Sequence, residues 1–261
     1  MMSVLRSLWM WAATIVLIMV WLPLLAFLRL FERNPVRLRT GRWFRRLGAA
    51  LVRINPAWRV HVSGWENADP SRPPYVVLSN HLSLVDIPLL SLLPWEMKWI
   101  AKAELFRLPI VGWMMRMAGD IPVVRGNRQG ARALLAAKNY LLKKCSVMVF
   151  PEGTRSRDGL IHPFTDGAFH LAIKTGSPIL PIAVDGSQTC LPKGSWKFGE
   201  PQDIFVKIFP PISTEELTSK DIGELRERAQ KMIVEQVAQW RGVAPDAVLG
   251  PPYAGNGNAP G

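Results

Sequence analysis

Ser146-Val147-Met148-Val149-Phe150-Pro151-Glu152-Gly153-Thr154-Arg155 is apolar at every position from Val147 to Phe150 and then breaks off at Pro151-Glu152-Gly153. A strand with one wet face alternates apolar and polar side chains. One that is apolar throughout belongs to a sheet covered on both faces. Segments 58–62, 75–79, 97–101, 121–124, 179–184 and 204–209 have the same strand character. Between them, 84–93, 104–117, 128–144 and 164–174 have helical length and spacing. Ser213-Thr214-Glu215-Glu216, followed by an apolar-periodic stretch to Trp240, reads as a capped final helix. Strands alternating with helices predict an α/β domain over 59–241. Its sheet should be mixed but mostly parallel, with helices on both faces.

The chain has 261 residues, 49% hydrophobic and 20% charged. That is enough for one ordinary domain with an appendage, and too apolar for a disordered protein. Cys145 and Cys190 make neither a disulfide framework nor a C-x-x-C pair, which points to a reducing compartment. His61, His81, His162 and His170 are scattered without H-E-x-x-H spacing, so no metal site is expected. Absence of G-x-S-x-G argues against a serine hydrolase, and Ser83 has no nucleophile-elbow context. A P-loop is also absent.

Charge is unevenly placed. The net charge is +12, and nine arginines between 29 and 59 face a single acid, Glu32. From residue 61 onward 22 basic residues meet 19 acids, so the folded domain is nearly neutral and nucleic-acid binding is not expected. Residues 7–28 carry no charge and include Trp9, Trp11 and Trp21. As a helix they span roughly 33 Å, against a hydrocarbon core of roughly 30 Å. Residues 1–30 are therefore expected to be a membrane-anchoring helix, kinked at Pro23, that either crosses the bilayer or inserts from one side. A signal peptide fits poorly, because the run is long and no small-x-small site follows it. Residues 31–58 form a basic juxtamembrane segment suited to anionic headgroups. It places the domain on the cytoplasmic side of an inner or cytoplasmic membrane. Residues 242–261, with five glycines and four prolines, are expected to be a disordered tail.

Ser79-Asn80-His81-Leu82-Ser83-Leu84-Val85-Asp86 follows one strand and opens a helix, where α/β proteins place ligands. His and Asp five apart sit about 140° apart on a regular helix and pair poorly there. With His81 in the turn and Asp86 in the helix, the carboxylate holds one imidazole N–H and leaves the other nitrogen as a base. Arg125 ends the 121–124 strand, and Arg155 follows the 146–150 strand beside Glu152 and Gly153. Strand ends delivering His, Arg and Glu suit one site with guanidinium forks for a phosphate.

These blocks resemble the glycerophospholipid acyltransferases, in the branch that acylates 1-acyl-sn-glycerol 3-phosphate (lysophosphatidate). The resemblance rests on Asn80-His81 with Asp86, Ile121 to Gly126 with Arg125, Phe150 to Arg155, and Leu180-Pro181-Ile182. Ala101-Lys102-Ala103-Glu104-Leu105 with Gly112-Trp113 is similar to the family's linking stretch. It implies transfer of an acyl group from acyl-CoA or acyl-carrier protein to a lysophospholipid hydroxyl, at a membrane and without cofactor or metal. His81 would be the base and Asp86 its orienting partner. Lys102, Arg125, Glu152, Gly153, Thr154 and Arg155 would hold the glycerol phosphate, and Pro181 would shape the acyl-donor side. A positioned base is typically worth 10²–10⁴-fold for such a weakly acidic hydroxyl. Competing readings are an acyltransferase of another lysolipid, such as a lyso-ornithine lipid, and an inactive membrane lipid-binding protein.

Overall fold

The computed structural model describes residues 2–67, 69, 71, 74–124, 127–192 and 195–252. All seven strand segments form: β1 Trp58–Ser63, β2 Val76–Ser79, β3 Met97–Lys102, β4 Ile121–Val123, β5 Ser146–Val149, β6 Ile179–Asp185 and β7 Gln202–Ile208. They make one sheet in the order β1-β7-β6-β2-β5-β3-β4. Only the β6–β7 pairing is antiparallel. The C-terminal ends of β6, β2, β5, β3 and β4 therefore share one edge.

Alternation along the buried strands divides the core. Val76, Leu78, Val147, Ile179 and Ala183 pack with α5 (Asn127–Leu142), α6 (Gly167–Thr175) and α7 (Ile222–Arg241). Val77, Met148, Leu180, Ile182 and Val184 face the other way, toward α2 (Leu38–Arg53) and α3 (Asp86–Leu90). Both faces are covered, which is why these strands carry so few polar residues.

The helix expected over 104–117 divides into a 3-10 turn, Ala103–Arg107, and α4, Val111–Ala118. Leu108, pushed to an extended ψ of 135° by the following proline, separates them. The final helix begins at Ile222, so a start at 213–216 is not correct. Thr214 Oγ1 instead donates to Ser177 O at 3.1 Å, and Glu216 has a left-handed φ of +67°. The expected disordered tail also begins too early at 242. Residues 245–248 form a 3-10 turn, Val248 is buried, and Ile161 N and Gly250 N link Val248 O and Ile161 O at 2.8 and 2.9 Å.

At the N-terminus, α1 (Met2–Phe31) continues through Pro23. It lies along the domain rather than projecting from it. Arg6 pairs with Glu200 at 2.6 Å, Trp11 Nε1 donates to Trp196 O at 2.8 Å, and Leu25 packs with Leu47 and Met114 farther along. Its other side exposes Leu8, Trp9, Ile15, Met19 and Phe27. Glu32, the lone acid of the basic stretch, caps α2 by accepting Arg39 N and Thr40 N at 2.8 and 2.7 Å. Arg45 is not available to headgroups as the basic-segment reading has it. It is buried, paired with Asp120, beside Glu96 and Lys98.

Candidate active site

The chain leaving β2 is pinned to β6 by Asn80. Its side chain donates to Val184 O at 2.8 Å and accepts Val184 N at 2.9 Å. His81 lies in the turn and Asp86 is the first residue of α3. Asp86 Oδ2 accepts His81 Nδ1, Leu82 N and Ser83 N, each at 2.8 Å. A carboxylate only accepts, so Nδ1 carries the proton and Nε2 is left as a base. The imidazole stacks on Phe150 of the next strand end, with ring centroids 3.9 Å apart and planes at 13°. Asp86 is fully buried, whereas the His81 side chain is 12% exposed.

After β5, Gly153 adopts a φ of +73° and its N–H closes a turn onto Phe150 O at 3.0 Å. That conformation, which disfavours a side chain, redirects the chain across the mouth of the sheet. Ser156 N then donates to His81 O at 2.8 Å, tying the loop to the dyad. A groove of about 160 Å³ opens here, walled by Leu82, Ser83, Arg155, Arg157, Gln188 and Leu191. A larger groove, about 660 Å³, lies between α5 and α6. Its lining includes Lys138, Lys174 and His170, whereas the smaller groove adjoins the His81–Asp86 pair through Leu82, Ser83 and Ser156. No cluster of His, Cys, Asp or Glu suited to a metal occurs among the described residues.

The profile of the family described as Acyltransferase matches residues 59–185, the span that holds the dyad and the loop after β5. The chain is 37% identical over 201 residues to the chloroplastic 1-acyl-sn-glycerol-3-phosphate acyltransferase BAT2 of Brassica napus, covering 77% of this chain and 58% of that protein. It is 38% identical over 170 residues to the mouse (Mus musculus) 1-acyl-sn-glycerol-3-phosphate acyltransferase alpha, covering 64% and 59%. The crystal structure of PlsC, the 1-acyl-sn-glycerophosphate acyltransferase of Thermotoga maritima, superposes with a TM-score of 0.74 at 28% identity, covering 93% of this chain and 97% of that one.

The chain belongs to the acyltransferase family.

It spans between about half and three fifths of the length of the curated relatives it matches. In this chain the residues expected at the site are distributed unequally. Arg155 lines the groove, half-buried, with no acid paired to it among the described residues. Thr154 is half-buried beside it. Lys102 ends β3 on the same edge, exposed, with its Cα opposite Val123. Arg125 lies outside the described residues.

Glu152 and Pro181 have places within the scaffold. Glu152 is buried, with Oε1 accepting His81 N at 2.8 Å and Oε2 accepting His162 N at 3.0 Å. Both oxygens are engaged by backbone N–H groups, so Glu152 braces the backbone. Burial raises its carboxyl to about 8, against the two N–H donors that favour the ionised form. Pro181 sits inside β6 opposite Leu78, its carbonyl accepting Phe209 N at 3.0 Å, and does not line the groove.

Three further residues enter the site without having been expected. Ser187, just past β6, donates its hydroxyl to Asp86 Oδ1. Gln188 lines the groove with its Oε1 buried and without a hydrogen-bond partner among the described residues. His162 contacts Pro251 O at 2.7 Å and Asp158 at 3.1 Å through its ring. The available signal was Asp185-Gly186-Ser187, a third strand ending in a glycine turn. Cys145 and Cys190 are buried, which pushes both thiols up to about 12, and neither suits a nucleophile.

Proposed function

We propose that the protein moves a fatty acyl group from a thioester, acyl-CoA or acyl-carrier protein, to the free hydroxyl of 1-acyl-sn-glycerol 3-phosphate, giving phosphatidate. The observation that carries this reading is His81 Nδ1 held 2.8 Å from buried Asp86 beside a groove lined by Arg155 and Arg157. The names of the relatives support the choice of acceptor.

The steps follow from that arrangement. Nε2 of His81 takes the hydroxyl proton as the oxygen attacks the thioester carbonyl. The C–S bond then breaks, and the imidazolium returns the proton to the departing thiolate. Asp86 stabilises the imidazolium between the two transfers. Because a thioester is already activated, neither a metal nor an enzyme nucleophile is needed. The acceptor phosphate is held by Arg155, with Lys102 on the same sheet edge and Arg125, outside the described residues, as a further cation.

Membrane seating supports the same chemistry. A 30-residue helix is about 45 Å long, yet α1 touches the domain at Arg6, Trp11, Trp21 and Leu25. It lies in one leaflet with its free apolar side down, beside exposed Leu108, Ile110 and Trp113. Exposed Arg39, Arg42, Arg46 and Arg53 then meet anionic headgroups on the cytoplasmic side.

The test is acyl transfer by the purified protein in mixed micelles, using acyl-CoA and lysophosphatidate. His81→Ala should abolish turnover while the protein stays folded. Full turnover by that variant would remove His81 as the base.

A further inference from the structure

We infer that Ser187 is a positioning residue for the transfer reaction, setting the plane of the Asp86 carboxylate that orients His81. This rests on the reading of His81 as general base.

Asp86 Oδ2 is saturated by three N–H donors, all from the same turn: His81 Nδ1, Leu82 N and Ser83 N. Those bonds hold one oxygen and leave the carboxylate free to swing about it. Among the described residues, the partner of the other oxygen, Oδ1, is the Ser187 hydroxyl. Asp86 and Ser187 are both 0% exposed, so that hydrogen bond is also what keeps Oδ1 from being buried unmet.

Ser187 reaches this place from a different strand end. Gly186 turns the chain with a φ of +83°, and a Cβ there would meet Asp203 O at 2.3 Å, so β7 fixes the turn. β6 itself grips the exit of β2 through Asn80 and Val184. Position and aim of the dyad thus depend on β6 as well as on the turn that carries it.

Without the Ser187 hydroxyl, Asp86 loses its plane and keeps more charge on the oxygen facing the imidazole. Three consequences are expected for Ser187→Ala. Turnover should fall about 10- to 100-fold, as for other outer partners that orient a reactive imidazole. KM for either substrate should stay nearly unchanged, because the residue touches neither. The acid limb of the pH–rate profile should move to higher pH, since the imidazolium is better stabilised.

Full-length protein in micelles is assayed across that limb as wild type, Ser187→Ala, Ser187→Thr, Asp86→Asn, the Asp86→Asn/Ser187→Ala pair, and His81→Ala. Restored turnover in Ser187→Thr, and a double variant no slower than Asp86→Asn alone, are the supporting results. Should the threonine not be accommodated, the shifted limb of Ser187→Ala and the non-additive pair still decide the question. Wild-type turnover in Ser187→Ala would overturn the assignment, as would an unmoved limb with fully multiplicative losses. An active His81→Ala would overturn the base itself, a separate failure.

Discussion

Glu152 Oε1 accepts the backbone N–H of His81 at 2.8 Å, so a carboxyl group beyond the end of β5 holds the turn that follows β2. The other oxygen does the same for His162. In Glu152→Gln one acceptor becomes an N–H₂ donor facing a backbone N–H. A loss of about 1–3 kcal/mol in stability is expected, with lower turnover because His81 is released. The pH dependence has a definite sign. Burial raises the folded carboxyl to about 8 from the ordinary 4.5, so the native state binds this proton more tightly than the unfolded chain. Its contribution is fully present below the ordinary value and declines as pH rises toward 8. The stability gap between wild type and Glu152→Gln should therefore narrow from pH 5 to pH 8. Thermal unfolding at three pH values measures this, and a constant gap would contradict it.

Arg45 is a different case, a cation buried against Asp120 with Glu96 and Lys98 close by. Burial raises the Glu96 carboxyl, opposed by Lys98 and Arg45. Removing Arg45 leaves two buried acids facing one lysine. Arg45→Met is expected to cost about 3–5 kcal/mol, whereas Arg46→Ala, next along the helix and exposed, should change stability little. Unfolding of the two variants side by side checks this. Equal stabilities would mean that Arg45 does not tie α2 to the sheet.

What the amino-acid order revealed was mostly local. Val147 to Phe150 announces a strand covered on both sides, and the turn-to-helix placement of His81 and Asp86 follows from five-residue spacing after such a strand. What stayed hidden depends on distant partners. Ser187 meets Asp86 across 101 positions and Arg45 meets Asp120 across 75. In the basic stretch, Arg45 is distinguished from its neighbours only by the helix face it occupies. Glu152 reads as a ligand contact from its place beside Arg155, yet the Pro151-Glu152-Gly153 turn sends its side chain inward.

Arg155 is the cation of the groove with no acid beside it among the described residues. Arg155→Ala removes contacts that the acceptor phosphate makes before and during reaction. KM for lysophosphatidate should rise about 10- to 100-fold, the value of a charge-assisted hydrogen bond, with kcat changed much less. Arg155→Lys should recover part of the affinity, since charge is kept but the fork is lost. Steady-state kinetics at varied acceptor concentration separate these effects, and an unchanged acceptor KM would take Arg155 out of the site.

The segment 243–252 supports the loop that carries Arg155. Ile161 N donates to Val248 O and Gly250 N to Ile161 O, at 2.8 and 2.9 Å, while the His162 ring meets Pro251 O at 2.7 Å. Arg241, at the end of α7, adds a bond to Gly159 O at 2.9 Å and is held in turn by Asp185. A chain ending after residue 252 keeps all of these contacts. One ending after 242 loses the two strand-like bonds, the His162 contact and buried Val248. The shorter chain should unfold at a lower temperature and show a raised acceptor KM, because the loop between Gly153 and His162 is no longer braced from behind. The longer one should match the full chain in both. Equal acceptor KM values for all three would show that the C-terminal segment has no part in holding the groove.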